Sequence, residues 1–315
     1  MFAIIGLVVV LGAVVGGYLL EHGNLLVLLQ PAELLIIGGA AAGTLLVANP
    51  LPTLIRIGKG IVGVFLPSKF TKAFYLEHLK MLNELFQYSR KAGMVNLEND
   101  IEEPQKSALF KKYPNFLNNH HALYFLCDTL RMHISGGVSS FELDQMMELD
   151  MDVHHQTANV PVSSLTTVAD SLPGLGIVAA VLGVVITMGA LGGPPEEIGH
   201  KVAAALVGTF LGILLCYGFF GPLAANMAKG NDAEAQFYHC LRVAVASFVR
   251  GSAPILAVEF ARRAIPGDVR PTFKEMEDFC KGRTPAPAQA APEAAPAAAP
   301  AAETPAPAAA EGGNG

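Results

Sequence analysis

Charge is scarce in this sequence. Of its 315 residues, 15% are Asp, Glu, Lys or Arg, where a soluble domain carries about 25%. The hydrophobic fraction is 52% and the mean hydropathy is +0.42. These values exclude a disordered chain and argue against a soluble enzyme. The charge that exists sums to −6, from 27 acids and 21 bases, so no global basic field attracts nucleic acid. Cysteine is scarce too. Cys127, Cys216, Cys240 and Cys280 form no CxxC pair, which indicates neither a zinc site nor a disulfide framework. No GxxxxGK[ST] string occurs, so direct use of ATP through a P-loop is unsupported. No enzymatic activity and no cofactor are expected.

The deficit of charge is local. Residues 1–20, 34–55, 171–195 and 202–228 contain no charged side chain. A bilayer core of about 30 Å needs about 20 helical residues, and each run meets that length. A backbone in lipid must satisfy its own hydrogen bonds, so helices are the expected form. The first run lacks the positive flank of a signal peptide and reads as a retained span. The fold class predicted is all-α: a polytopic membrane protein with four spans and a helical cytoplasmic domain.

Basic residues orient these spans. Residues 22–33 hold no Lys or Arg, and 196–201 hold only Lys201. Residues 56–170 hold eleven, and the chain after residue 228 holds nine. By the positive-inside rule both large polar segments, and both termini, face the cytoplasm. The chain then divides into a hairpin at 1–55, a cytoplasmic helical domain at 56–170, a second hairpin at 171–228, a C-terminal cytoplasmic helical segment at 229–283 and a tail at 284–315. The tail contains 15 alanines and seven prolines. Prolines break helices and little there builds a core, so a flexible, partly extended segment is expected.

The polar segments are patterned. Tyr75, Leu79, Leu82 and Phe86 mark one face of a helix. Ser139 and Glu142 read as a capping box. The helix that follows carries Glu142, Asp144, Glu148, Asp150 and Asp152 with no base among them. That pattern predicts a solvated acidic face or a docking surface for a basic partner. Residues 232–263 read as one amphipathic helix with Val243, Phe248, Leu256 and Phe260 as apolar positions. His120–His121 and His154–His155 are adjacent pairs, and neighbours on a helix point about 100° apart, so neither is a ready metal site.

Within the spans, ionisable groups mark ion routes. The central parts of the four runs have none, and Glu33 and Asp170 fall at their edges. Thr187, Thr209, Cys216 and Tyr217 are the polar groups inside the last two. A chain that moved ions alone would need a midplane carboxylate, so this one either moves no ion or borrows the group from a partner. Small residues are abundant instead: Gly176, Ala180 and Gly183 on one span, and Gly208 with Gly212 as a GxxxG pair on the next. Gly174 and Gly176 also open a GxGxxA string, but a dinucleotide site needs a preceding strand, and packing is the better reading. Pro173 and Pro222 sit near the cytoplasmic ends of these spans, as ordinary helix terminators or as kink points.

The segments GGYLLEHGNLLVLLQPAELLIIGGA, SRKAGMVNLENDIEEP, DSLPGLGIVAAVLGVV and VGTFLGILLCYGFFGPLA resemble the flagellar stator family MotA, within the MotA/TolQ/ExbB superfamily. The resemblance runs from residue 1 to about residue 280. It implies a multi-pass protein of the bacterial inner membrane, five copies of which surround two copies of the single-span protein MotB. MotB supplies the ion-binding aspartate and the cell-wall anchor. The resemblance also implies residue roles. Thr209 matches the family threonine near that aspartate. Ala180 stands where sodium-driven relatives carry threonine, which implies protons as the coupling ion. Arg90 and Glu98 match the charged residues that act on the rotor protein FliG, and Pro173 and Pro222 match the prolines of conformational coupling. An ExbB- or TolQ-like energiser of an outer-membrane process is the nearest alternative; it has a single helix before its cytoplasmic domain, against two uncharged runs here. A secondary transporter would show an internal repeat, and none is seen.

Overall fold

The computed structural model describes residues 2–189 and 192–283; the Ala/Pro-rich tail lies outside the described residues. Every regular element among them is helical. Four helical stretches are long and apolar enough to cross a membrane: Phe2–Leu20, Leu25–Ala48, and the apolar parts of Ser140–Met188 and Pro195–Val249.

Helix α1 (Phe2–Leu20) is apolar on all sides and buries no residue within the chain, as expected of a helix solvated by lipid. Asn24 caps a single turn, α2 (Leu25–Leu28), by accepting the Leu26 N–H at 3.0 Å. Pro31 opens α3 (Pro31–Ala48), where its missing N–H is no loss. The span ends at Ala48, before the uncharged run does. Asn49 precedes Pro50, and a residue before proline is pushed out of the helical region. The Ser164 hydroxyl donates to the Asn49 side chain at 2.6 Å and pins this corner. The rest of the run starts α4 (Leu51–Val64), an amphipathic helix. Its Ile57 and Val64 pack on Leu165, Leu223 and Met227. The uncharged run at 34–55 is therefore two helices.

Helix α5 (Lys72–Ala92) buries Tyr75, Leu79, Leu82 and Phe86, as the periodicity predicts. Gly93, at φ 85°, lets the chain turn directly into α6 (Met94–Glu102); a side chain there would be strained. Short α7 (Pro114–Leu117) and α8 (His120–Ser135) follow. The predicted capping box is present. Ser139 accepts the Glu142 N–H at 3.2 Å, and the Glu142 carboxylate accepts the Ser139 N–H at 2.9 Å.

That box opens α9 (Ser140–Met188), a single helix of 49 residues, about 70 Å long at 1.5 Å per residue. Its partner is α10 (Pro195–Leu214), a π-helical turn at Leu215–Phe220, and α11 (Gly221–Val249). These run as one path of 55 residues. Each rod has one end in the apolar hairpin and the other in the polar domain. Asn231 ties them midway, its amide donating to the Ala158 carbonyl at 2.8 Å. Helices α12 (Pro254–Arg263) and α13 (Phe273–Cys280) complete the domain. Its core joins α5, α6, α8 and α12 to the polar ends of α9 and α11, with Phe86 stacked on Phe248 at 4.2 Å.

Two expectations need correction. Residues 232–263 are not one helix: Gly251, at φ 92°, and Pro254 divide α11 from α12. The break resets the register, so α12 buries Ala257, Val258 and Ala261 while Leu256 and Phe260 stay exposed. The acidic face of α9 is also not simply solvated. Asp144 accepts from Arg242 at 2.8 Å and from Arg250 at 3.0 Å, and Arg242 lies 3.2 Å from Glu148. The bases missing from α9 come from α11 and its end.

The hydrogen bond from Arg242 holds the Asp144 carboxyl below its ordinary value. Its contribution to stability is complete above the ordinary carboxylate range and is lost as pH falls through the lowered value. Asp144→Asn is expected to cost about 1–3 kcal/mol by leaving Arg242 and Arg250 under-partnered. Thermal unfolding of the detergent-solubilised chain checks this, and the difference from wild type should shrink on acidification.

Candidate functional site

The apolar parts of α9 and α10 meet backbone to backbone. A methyl group on Gly212 would lie 2.5 Å from the Leu172 carbonyl oxygen, and one on Gly176 would lie 2.8 Å from the Gly208 oxygen. No side chain fits at such spacings. These glycines serve close packing, and Gly176 stands in a helix, not after a strand, which disposes of the dinucleotide reading.

The contact sets Ala180 against Gly208 and Thr209 against Gly176 along one seam. A methyl on Gly208 would lie 3.2 Å from the Ala180 nitrogen, and one on Gly176 would lie 3.3 Å from the Thr209 Cα. Both residues are partly exposed at the edge of the packed seam. Thr187 differs: its hydroxyl donates to the Gly183 carbonyl at 2.8 Å and is buried. Cys216 is buried, while Tyr217 projects from the π turn.

Neither proline terminates its helix. Pro173 lies inside α9, as does Pro161. Lacking an N–H, Pro173 leaves the carbonyl of Ala169 without its usual partner. Pro222 follows the π turn, where the Gly221 N–H bonds back to Cys216. The wider turn absorbs a proline without breaking the helix. Both therefore sit as local weak points in continuous rods.

Arg90 lies in the last turn of α5, and its guanidinium donates to the Gly251 and Ser252 carbonyls at 2.9 and 3.3 Å. Glu98 is exposed on α6, beside a small cleft lined by Ile101, Arg131 and Ile134. Neither joins an ion pair among the described residues. The Gly93 corner puts them on successive helices. The histidine pairs regroup across helices, with His121 stacked on His154 at 3.9 Å beside Tyr238. Burial holds His121 below its ordinary value.

Glu33 is the residue whose surroundings the sequence reading missed. It stands in the first turn of α3, at the helix edge as expected. It is 7% exposed, and its Oε2 would lie 2.7 Å from a methyl on Gly208. A signal was available: Glu33, Ile37 and Ala41 recur every four residues, and all three are buried.

Two family models match this chain. The Motility protein A N-terminal model covers residues 4–93, and the MotA/TolQ/ExbB proton channel model covers residues 118–238. Motility protein A of Escherichia coli is 43% identical over 281 residues, covering 89% of this chain and 95% of that protein. The chain belongs to the motility protein A family of proton channel proteins. Its Salmonella typhimurium relative is 41% identical over 93% of this chain and the whole of that protein. The fold matches a chain of the Campylobacter jejuni MotAB structure with a TM-score of 0.68 at 19% identity, covering 84% of this chain and 96% of that one. The family is that of a proton channel component.

The glycine seam makes a direct prediction. Gly212→Val should lower stability by about 2–3 kcal/mol, because the contact with Leu172 cannot yield. Gly230→Ala in α11, where a methyl meets nothing within 4 Å, should instead stabilise by about 0.5–1 kcal/mol. Thermal melts of the two purified variants in one detergent test the contrast.

Proposed function

We propose that this chain is the multi-span subunit of a flagellar stator that turns ion flow into torque. The observation that carries the reading is the pair of rods. Helices α9 and α10–α11 run unbroken from a hydroxyl-bearing seam at Ala180 and Thr209 into the polar domain. A displacement of the seam is thereby a displacement of the domain. Neither α9 nor α10 contributes a carboxylate of its own to the seam, and the ion-exchanging group comes from a partner. The single-span MotB supplies it, and the match to the Campylobacter jejuni MotAB structure supports that pairing.

The chain divides as 1–55, 56–170, 171–228, 229–283 and the 284–315 tail, in the inner membrane with both termini cytoplasmic. Five copies surround two MotB chains. The partner aspartate takes a proton from the periplasm, and neutralisation removes a cost of about 2.5–3.5 kcal/mol at the bilayer centre. It then passes the α9–α10 seam and releases the proton inside. One charge crossing 100 mV is worth about 2.3 kcal/mol, enough to bias a two-state step roughly fiftyfold. Ala180 offers no hydroxyl to a dehydrated sodium ion, which supports protons as the coupling ion. Pro173 and Pro222 give the rods their bending points. Arg90 and Glu98, which join no ion pair among the described residues, meet the rotor protein FliG, where charge sets encounter and register more than affinity. Two spans before residue 56 and the N-terminal family match favour this reading over an ExbB- or TolQ-like energiser.

Produced with its partner in a strain lacking stators, the chain should restore swimming. A protonophore should abolish it and sodium removal should not; a sodium requirement would reverse the reading of Ala180. Arg90→Glu with Glu98→Lys should impair swimming while labelled stators still gather at motors. Unchanged swimming speed in that double variant would remove the rotor role from these residues.

A further inference from the structure

We infer that Glu33 is a proton-relay residue of the ion route, seated in a notch that Gly208 opens in α10. The inference rests on the stator reading above. A carboxyl group inside a span is costly and marks a functional pathway unless it is paired. The Glu33 Oε2 is buried and has no hydrogen-bond partner among the described residues. No base lies within its own span, Leu25–Ala48.

The surroundings are shaped to admit the group. Three atoms converge on the space left by Gly208: Glu33 Oε2 at 2.7 Å from a methyl placed there, Ala179 Cβ at 3.1 Å and the Ala180 nitrogen at 3.2 Å. Any side chain at position 208 would expel the carboxyl. The notch therefore holds Glu33 against Gly208, near the Ala180 nitrogen and one residue before Thr209 in α10. Successive residues on a helix point about 100° apart, so α10 offers the notch on one side and the Thr209 hydroxyl on the next. That hydroxyl both accepts and donates a hydrogen bond. Glu33 lies close to the start of its span, which the stator reading turns toward the periplasm. In the step proposed, the Glu33 carboxylate accepts a proton from the periplasmic side. It passes that proton, by way of Thr209, to the partner aspartate. Glu33 returns to carboxylate as the aspartate becomes neutral, and no charge is created or lost.

The test compares Glu33→Gln with Glu33→Asp in the full chain, produced with its partner in a stator-deficient strain. Two quantities are read: the number of fluorescently labelled stators at each motor, and the motor speed per stator. Gln keeps the shape of the side chain and loses the exchangeable proton; Asp keeps the carboxyl and shortens its reach. The relay predicts normal stator numbers in both, a speed per stator reduced at least about fivefold in Gln, and a smaller loss in Asp. A packing role predicts the opposite ranking. Glu33→Gln at less than about a twofold loss, equal losses in both variants, or failure of Glu33→Gln to gather at motors would each overturn the inference. Wild-type chain that drives no motor would instead fail the stator reading, and this inference with it.

Discussion

Two helices share a backbone contact only where side chains are missing, and this protein depends on one such contact. In lipid there is little hydrophobic drive between helices, so association comes from close packing. Gly176, Gly208 and Gly212 bring α9 and α10 within reach of each other's carbonyls. Helix α3 lies across both, and its Ile37 and Ala41 pack on Val168, Leu172 and Ala179. Helix α1, by contrast, buries nothing within the chain. The seam thus fixes the relation of three spans, while the fourth touches the π turn through Val10 at Gly218.

The seam matters beyond the membrane because its two helices do not stop there. Each enters the polar domain, where Met147 of α9 and Phe237, Tyr238 and Leu241 of α11 belong to one core. The rods are held together at the seam by glycine, midway by Asn231, and within the domain by Asp144 with Arg242. Between these clamps lie Pro161, Pro173 and the π turn before Pro222. Rigid segments joined at sites with missing hydrogen bonds are suited to transmit a bend. A loop at residue 171 or 228 would have absorbed it. Under the proposed function this continuity is what lets ion binding in the membrane act on a distant polar surface.

Much of this was legible in the sequence where one signal dominated. Absence of charge located four spans. The period of Tyr75, Leu79, Leu82 and Phe86 found the buried face of α5, and Ser139 with Glu142 found the start of α9. The errors arose where charge was made to define helix limits. The uncharged run at 34–55 crosses the Asn49–Pro50 corner, which ends a helix by sterics that no hydropathy reports. Glu33 does stand at the start of α3, but its burial against a glycine of another helix is something no hydropathy reports. Residues 171 and 228 likewise mark limits of the uncharged runs, not of the helices. The partners of Asp144 were invisible for a different reason: Arg242 is 98 residues away, and only the fold brings them together.

The scarcity of charge then acquires a stricter meaning. An apolar span costs nothing to hold in lipid, but an unpaired carboxylate must be tolerated by a site built for it. Lys201 and Glu197 satisfy one another at 2.9 Å near the start of α10. Asp170 is exposed at the opposite end of the apolar region. Glu33 has neither solution. It is buried, its Oε2 is unpartnered, and its space depends on a glycine in another helix. Were it only a packing group, an apolar side chain would fill the same volume without the desolvation cost. The pairing of an acid on α3 with an absent side chain on α10 is thus costly to keep and easy to lose. It sits on the stretch of the seam where Ala180 faces Gly208, one residue before Thr209. Placement, more than composition, marks this carboxyl as part of the route.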